Sequence, residues 1–111
     1  MARIAGWNAT GTSGQNVPLQ VTKAAASGKQ HVVTGLDVSF SAAPAANVIC
    51  SIVNASVSPN SVLWSGYLAN NWPGKIFSEG LAVTPGCSVE VQLAGAGGSV
   101  IAKVNLTGYT Q

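Results

Sequence analysis

The chain has 111 residues, of which 47% are hydrophobic and only 7% are charged, and its formal net charge is +2. This length suits one domain. The five cations are scattered along the chain, so the basic stripe of a nucleic-acid-binding protein is missing. No stretch approaches the roughly 18 apolar residues of a membrane span, and residues 1–11 lack the apolar segment of a secretory signal. We therefore expect neither nucleic acid nor a membrane as a partner.

The low charge also bears on what covers the surface. An ordinary soluble domain has roughly 25% charged residues, whereas this chain combines 7% with a mean hydropathy of +0.33. Large exposed apolar areas in soluble proteins mark interaction sites, so the composition favours a surface that partner proteins cover. The alternative is a surface rich in Ser, Thr and Asn, which water solvates well without charge.

Most of the chain alternates apolar and polar residues with period two, which is typical of β-strands. Residues 1–16 are instead small, polar and Gly-rich, and we interpret them as an extended N-terminal arm. The alternation, with breaks at Gly, Pro, Asn and Ser, predicts strands at 17–23, 31–42, 47–54, 62–69, 75–79, 88–94 and 99–107. The prediction is an all-β fold, a single jelly roll or antiparallel sandwich of about eight strands over residues 17–111.

Some strands also predict which side chains face the core. The strand at 88–94 alternates strictly, which turns Val89, Val91 and Leu93 inward. The last strand has the same pattern, with Val100, Ala102, Val104 and Leu106 inward. Gly35 marks a predicted β-bulge.

Three dipeptides predict turns between strands. Pro59-Asn60 is a turn signal. Pro73-Gly74 and Pro85-Gly86 each suit the two central positions of a type II turn, because glycine readily takes the positive φ required there.

The residues that usually carry catalysis or bind metals do not assemble into a site. His31 opens a strand and is interpreted as an exposed or edge histidine, and Asp37 lies about 20 Å further along an extended chain, too far for a triad. Nothing in the pattern pairs the other acids, Glu79 and Glu90, for glycosidase chemistry. Metal sites need three or four clustered ligands, which the chain does not supply. We therefore predict no catalytic, cofactor-binding or metal-binding residue, no enzyme activity and no small-molecule substrate.

The two cysteines fall in or beside predicted strands. Cys50 and Cys87 are too few for a disulfide framework or a zinc site. We interpret them as two small buried hydrophobic residues. A bridge between them stays open as an alternative.

The aromatic residues are the best candidates for a contact surface. Trp64 is in phase with Val62 and Leu68, which assigns it to the core, and Tyr67 then faces the opposite way. Trp72 lies in a turn, and Trp7 lies in the arm with no apolar run to join. The candidate protein-interface residues are Ile4, Trp7, Tyr67 and Trp72. The alternatives are core packing, or sugar stacking with Tyr67 and Trp72 on one exposed platform.

Several segments of the chain resemble a known family of small proteins encoded by tailed phages. They are SGKQHVVTGLDVSFS at 27–41, VLWS at 62–65, IFSEGL at 76–81, LAVTPG at 81–86 and VNLTGY at 104–109. Together with the length, they are similar to the capsid decoration proteins of epsilon-fifteen-like short-tailed phages, which are also called staple or cement proteins. The resemblance covers roughly residues 24–111 and consists of strand and turn patterns.

The resemblance implies a jelly roll that sits on the outer surface of a virion made in the host bacterial cytoplasm. It implies that copies pair as a homodimer at capsid two-folds and clamp neighbouring capsomers of the major capsid protein. No cofactor is implied. The arm, through Ile4 and Trp7, is then a candidate strap. A carbohydrate-binding or host-adhesion module and a tail or baseplate component are the competing interpretations.

Overall fold

A computed structural model of the protein describes residues 5–55 and 61–111 and shows an all-β fold. Its strands are β1 Ala5–Thr12, β2 Leu19–Lys23, β3 His31–Phe40, β4 Val48–Asn54, β5 Ser61–Leu68, β6 Lys75–Ala82, β7 Val89–Leu93 and β8 Ala102–Thr110. The turn predicted at Pro59-Asn60 lies outside the described residues. Within the described ranges, no helix is long and apolar enough to cross a membrane.

The strands form two four-stranded antiparallel sheets. One sheet has the order β1-β8-β3-β6 and the other the order β2-β7-β4-β5. The first and last strands are therefore neighbours, and the chain passes repeatedly between the two sheets. This is the strand order of an eight-stranded jelly roll, which confirms the predicted fold class.

The core lies between the sheets, where the inward positions of both meet. The three residues predicted to face inward on β7 are at most 2% exposed, and the four predicted around β8 are at most 7% exposed. Gly35 lies at the predicted bulge, because the register of β3 with both of its neighbours shifts between Val33 and Gly35. These predictions held because one buried face imposes a strict period of two on a strand.

Residues 5–12 differ from the interpretation of residues 1–16 as an arm outside the sandwich. β1 pairs with β8 along its whole length, from Ala5 opposite Thr110 to Thr12 opposite Lys103. Its inward residues Ala9 and Gly11 are small because the other sheet is close: a Cβ built on Gly11 would lie 2.7 Å from Val21 Cγ2. Small inward residues hide the alternation that identifies a strand.

His31 also differs from its expected exposed or edge position. It is 2% exposed and lies on β3, an inner strand of its sheet. Its Nε2 donates to the carbonyl oxygen of Ala24 at 2.7 Å, and its Nδ1 lies 2.7 Å from Thr110 Oγ1. Because the carbonyl can only accept, a neutral ring takes the Nε2–H tautomer and accepts from the Thr110 hydroxyl.

The two predicted Pro-Gly turns have different outcomes. Cys87 N donates to Thr84 O at 3.0 Å and Gly86 has a φ of +78°, as a type II turn requires. Between β5 and β6, however, the hydrogen-bonded turn lies three residues earlier than predicted, with Trp72 N donating to Ala69 O at 3.2 Å. Gly74 has positive φ just outside that turn.

Candidate protein interface

The two long sides of the sandwich are closed in different ways. On the side of β1 and β2, the backbone of one sheet approaches side chains of the other. On the other side, aromatic side chains fill the gap between the sheets. This side consists of β5, β6 and the loop between them, and we call it the open side. Trp64 lies 6.0 Å from Trp72 and 6.2 Å from Phe77 between ring centroids. All three side chains are half-buried, so each keeps part of its surface in contact with solvent.

Exposed apolar residues are concentrated at and beside the open side. Among the described residues, the exposed large hydrophobic side chains are Val17, Ile49, Val62, Tyr67 and Ile76. Tyr67 is 71% exposed and Ile76 is 81% exposed. Ile49 lies directly opposite Tyr67 on the neighbouring strand. Of these described residues, only Val17 lies away from the region, next to the opposite edge strand β2.

The edge strand β5 carries little protection against pairing with another chain. Natural proteins protect sheet edges with charges, prolines and bulges. The sequence of β5, SVLWSGYL, contains neither a charge nor a proline. Its one irregularity is a bulge at Leu63, where the register with β4 shifts. The other edge strand of the open side, β6, carries Lys75 and Glu79 and loops away from β3 over residues 77–80.

The four candidate interface residues lie in different environments. Tyr67 is exposed and lies on β5 of the open side. Trp72 is half-buried against Trp64 and the core. Trp7 is half-buried inside the sandwich, edge-on to His31 at 5.7 Å, and its buried Nε1 has no hydrogen-bond partner among the described residues. Ile4 lies outside the described residues. The structure thus brings Tyr67 and Trp72 to the open side and places Trp7 at the far side of the fold.

Of the five exposed residues, only Tyr67 was identified from the sequence, and Val62 and Ile76 show two reasons for the misses. Val62 was expected to face the core in phase with Trp64, but it is 60% exposed because the bulge at Leu63 reverses the alternation. Ile76 lies between Lys75 and Phe77, and a single isoleucine in a short strand gives no signal that it faces solvent.

The groups that could do chemistry do not converge. No group of three or more His, Cys, Asp or Glu side chains that could hold a metal ion is found in residues 5–55 and 61–111. Cys50 and Cys87 are free thiols. Burial raises the pKa of the Cys50 thiol to about 12, so it is protonated and a poor nucleophile at neutral pH.

Comparison with known proteins adds no relative to this description. No protein-family model matches the chain, and no curated protein matches it. The open side, with its exposed apolar residues and few charges, is therefore the starting point for function.

Proposed function

We propose that the protein is a structural virion protein that decorates the outer surface of a tailed-phage capsid. In that role it staples neighbouring capsomers of the major capsid protein and pairs with a second copy at capsid two-folds. The observation that carries the proposal is the open side: the uncharged edge strand β5 exposes Tyr67 and Val62, and β6 of the other sheet exposes Ile76. Exposed apolar surface of this kind marks a site where another protein binds.

The binding energy of a staple comes from burial repeated over many copies. Covering apolar surface contributes about 25 cal/mol per Å², before the cost of ordering side chains and losing free rotation is subtracted. The net binding free energy of one contact is therefore modest. A symmetric shell repeats it many times, and each copy that bridges two capsomers adds a second contact held at high effective concentration.

The charge distribution predicts how this contact responds to salt. β5 has no charged residue, and the open side as a whole contributes Lys75 and Glu79. Added salt screens charge pairs but does not weaken apolar burial. Binding that depends on the open side is therefore expected to survive moderate salt.

The test is binding of the purified chain to capsids that lack it, assembled from the major capsid protein of the same phage. Co-sedimentation should show saturable binding with a fixed number of copies per capsid, nearly unchanged between low and moderate salt. Absence of binding, or release by moderate salt alone, would contradict the proposal. A tail or baseplate component would instead be present in few copies and away from the shell.

The geometry does not favour the carbohydrate-binding alternative in the form expected from the sequence. That alternative requires Tyr67 and Trp72 on one exposed platform. Tyr67 faces away from the core beside Ile49, whereas Trp72 packs on Trp64, which faces the core from the same strand. The two rings thus lie on opposite faces of β5.

A further inference from the structure

The backbone hydrogen bonds around β4 show which way its backbone groups point. At one end of β4, Ala94 N donates to Ile49 O at 3.1 Å. Just beyond the other end, Ala55 N donates to Ser88 O at 3.1 Å, so both bonds join β4 to the side of β7. Successive residues of a strand turn their N–H and C=O groups to alternate sides. The odd-numbered residues of β4 therefore bond towards β7, and the even-numbered ones, Cys50 among them, bond towards β5.

The same alternation identifies the free backbone groups of β5. Cys50 lies opposite Gly66, so the backbone groups of Gly66 point towards β4. The backbone groups of its neighbours Ser65 and Tyr67 then point away from β4, to a side on which the described part of the chain places no strand. Both residues are exposed. The edge of β5 thus offers an N–H donor and a C=O acceptor at each of them to a further strand.

This edge is complementary to a second copy of itself. The regular part of β5 runs from the residue after the bulge at Leu63 to the end of the strand at Leu68, and it is centred on Gly66. A two-fold axis at Gly66 would make the two β5 strands antiparallel and would place the Ser65 of each copy opposite the Tyr67 of the other. Each such pair exchanges both of its N–H···O bonds, so the free groups of both residues all find partners.

The side chains of β5 fit the same axis. The pair of residues at the axis, Gly66 with its counterpart, is of the non-hydrogen-bonded kind, in which side chains lie closest, and glycine brings none. On the outer face of the joined strands, the ring of Tyr67 in each copy lies beside the small side chain of Ser65 in the other. The strand has no charged residue, so no like charges of β5 meet across the axis.

From this arrangement we infer that β5 of one copy pairs with β5 of a second copy, which joins their β2-β7-β4-β5 sheets into one continuous antiparallel sheet. The inference rests on the pairing of two copies in the proposed function, and it assigns that pairing to a strand and a register. It uses backbone groups at the sheet edge. The side chains of Tyr67 and Ile49, which face outward, therefore stay available to the capsid on one face of the joined sheet.

The experiment is sedimentation equilibrium of the purified full chain at increasing concentration, without capsids, on the wild type and two variants. Ser65→Pro removes the free N–H and adds a ring at the edge, and it breaks no backbone bond to β4 because that N–H points away from β4. Ser65→Ala is the matched control, since both variants lose the contact of 3.1 Å between Ser51 Oγ and Ser65 Oγ but alanine keeps the N–H. The wild type and Ser65→Ala should dimerise alike. Ser65→Pro should raise the dissociation constant of the dimer at least about tenfold, with circular dichroism like that of the wild type.

Disulfide trapping tests the register without a proline. In a Cys87→Ser background, where Cys50 is buried, chains with Ser65→Cys are mixed with chains with Tyr67→Cys and oxidised. The mixture should cross-link, because opposite residues of a hydrogen-bonded pair lie about 5.5 Å apart between Cα atoms. Chains with Ser65→Cys alone should cross-link far less, because the two copies of that residue are diagonal to each other across the axis, roughly 7–8 Å apart.

Four results would overturn the inference. They are a wild type that stays monomeric at every concentration, a folded Ser65→Pro variant that dimerises as tightly as the wild type, Ser65→Cys chains that cross-link alone as well as the mixture does, and a monomer whose capsid binding Ser65→Pro abolishes. The last result would give the edge of β5 to a strand of the capsid protein. Capsid binding by co-sedimentation is a separate readout: a monomer that binds capsids contradicts only this inference, and a dimer that does not bind them contradicts only the capsid role.

Discussion

The imidazole of His31 lies edge-on to the indole of Trp7, with ring centroids 5.7 Å apart and an interplanar angle of 75°. This contact joins β1 to β3 across β8, and both rings lie on the inward side of the sheet. Lys23 adds its ammonium group 5.7 Å from the centroid of the Trp7 ring. Trp7 is therefore part of the fold, and its removal would act on stability as well as on any contact with a partner.

Replacing His31 by phenylalanine should destabilise the fold by about 2–4 kcal/mol. The substitution keeps a ring beside Trp7 but leaves the carbonyl of Ala24 and the hydroxyl of Thr110 without their partner. Urea unfolding measures the loss. Thr110→Val removes only one of the two hydrogen bonds and should cost less. A His31→Phe variant as stable as the wild type would show that these bonds contribute nothing.

Gly80→Ala should cost clearly more stability than Gly86→Ala. Both glycines have nearly the same positive φ, +77° and +78°, so the backbone strain of an alanine is matched at about 1 kcal/mol. They differ in the room available for a side chain, because a Cβ at Gly80 would lie 2.5 Å from Val32 Cγ1, whereas a Cβ at Gly86 meets nothing within 4 Å. Equal losses in thermal unfolding would mean that β6 does not pack against Val32 as described.

The stability of the folded protein should fall as the pH rises above 9, and Cys50 should account for part of the fall. Burial raises the pKa of its thiol from 9.0 to about 12. Below pH 9 the thiol is protonated in the folded and unfolded chains alike, so it has no effect. Between these values only the unfolded chain loses the proton, which lowers the free energy of unfolding by about 1 kcal/mol per pH unit. Cys50→Ala should show a shallower decline in urea unfolding, and an identical slope would contradict the buried thiol.

Tyr67→Ser and Ile76→Ser should weaken capsid binding by about tenfold each while changing stability by less than about 0.5 kcal/mol. Both side chains are exposed, so the fold loses little when they are shortened. Val17→Ser is the matched control, because Val17 is also exposed but lies away from the open side. Equal effects of all three substitutions on co-sedimentation would contradict a contact localised to the open side.

The sequence predicted strands and burial well where a strand buries one face. It failed where burial depends on a packing partner that is distant in the sequence. β7 and β8 alternate because their inward residues all meet the core. β1 was not identified as a strand because two of its three inward residues, Ala9 and Gly11, are small, so its apolar alternation is weak. The burial of His31 depends on Thr110, distant in sequence, and on the carbonyl of Ala24, a backbone group that no sequence pattern marks.

The candidate interface was predictable to the same limited degree. Tyr67 was identified because it is out of phase with Trp64 on one strand. Val62 and Ile76 were not, since a bulge and a displaced edge strand change which side chains face solvent.

Cryo-electron microscopy of the intact virion tests the central claim most directly. The account predicts a jelly roll on the outside of the shell at many symmetric positions, with β5, Tyr67 and Ile76 covered by another protein chain. A virion whose shell lacks this density, or shows the jelly roll with those side chains facing solvent, would contradict it.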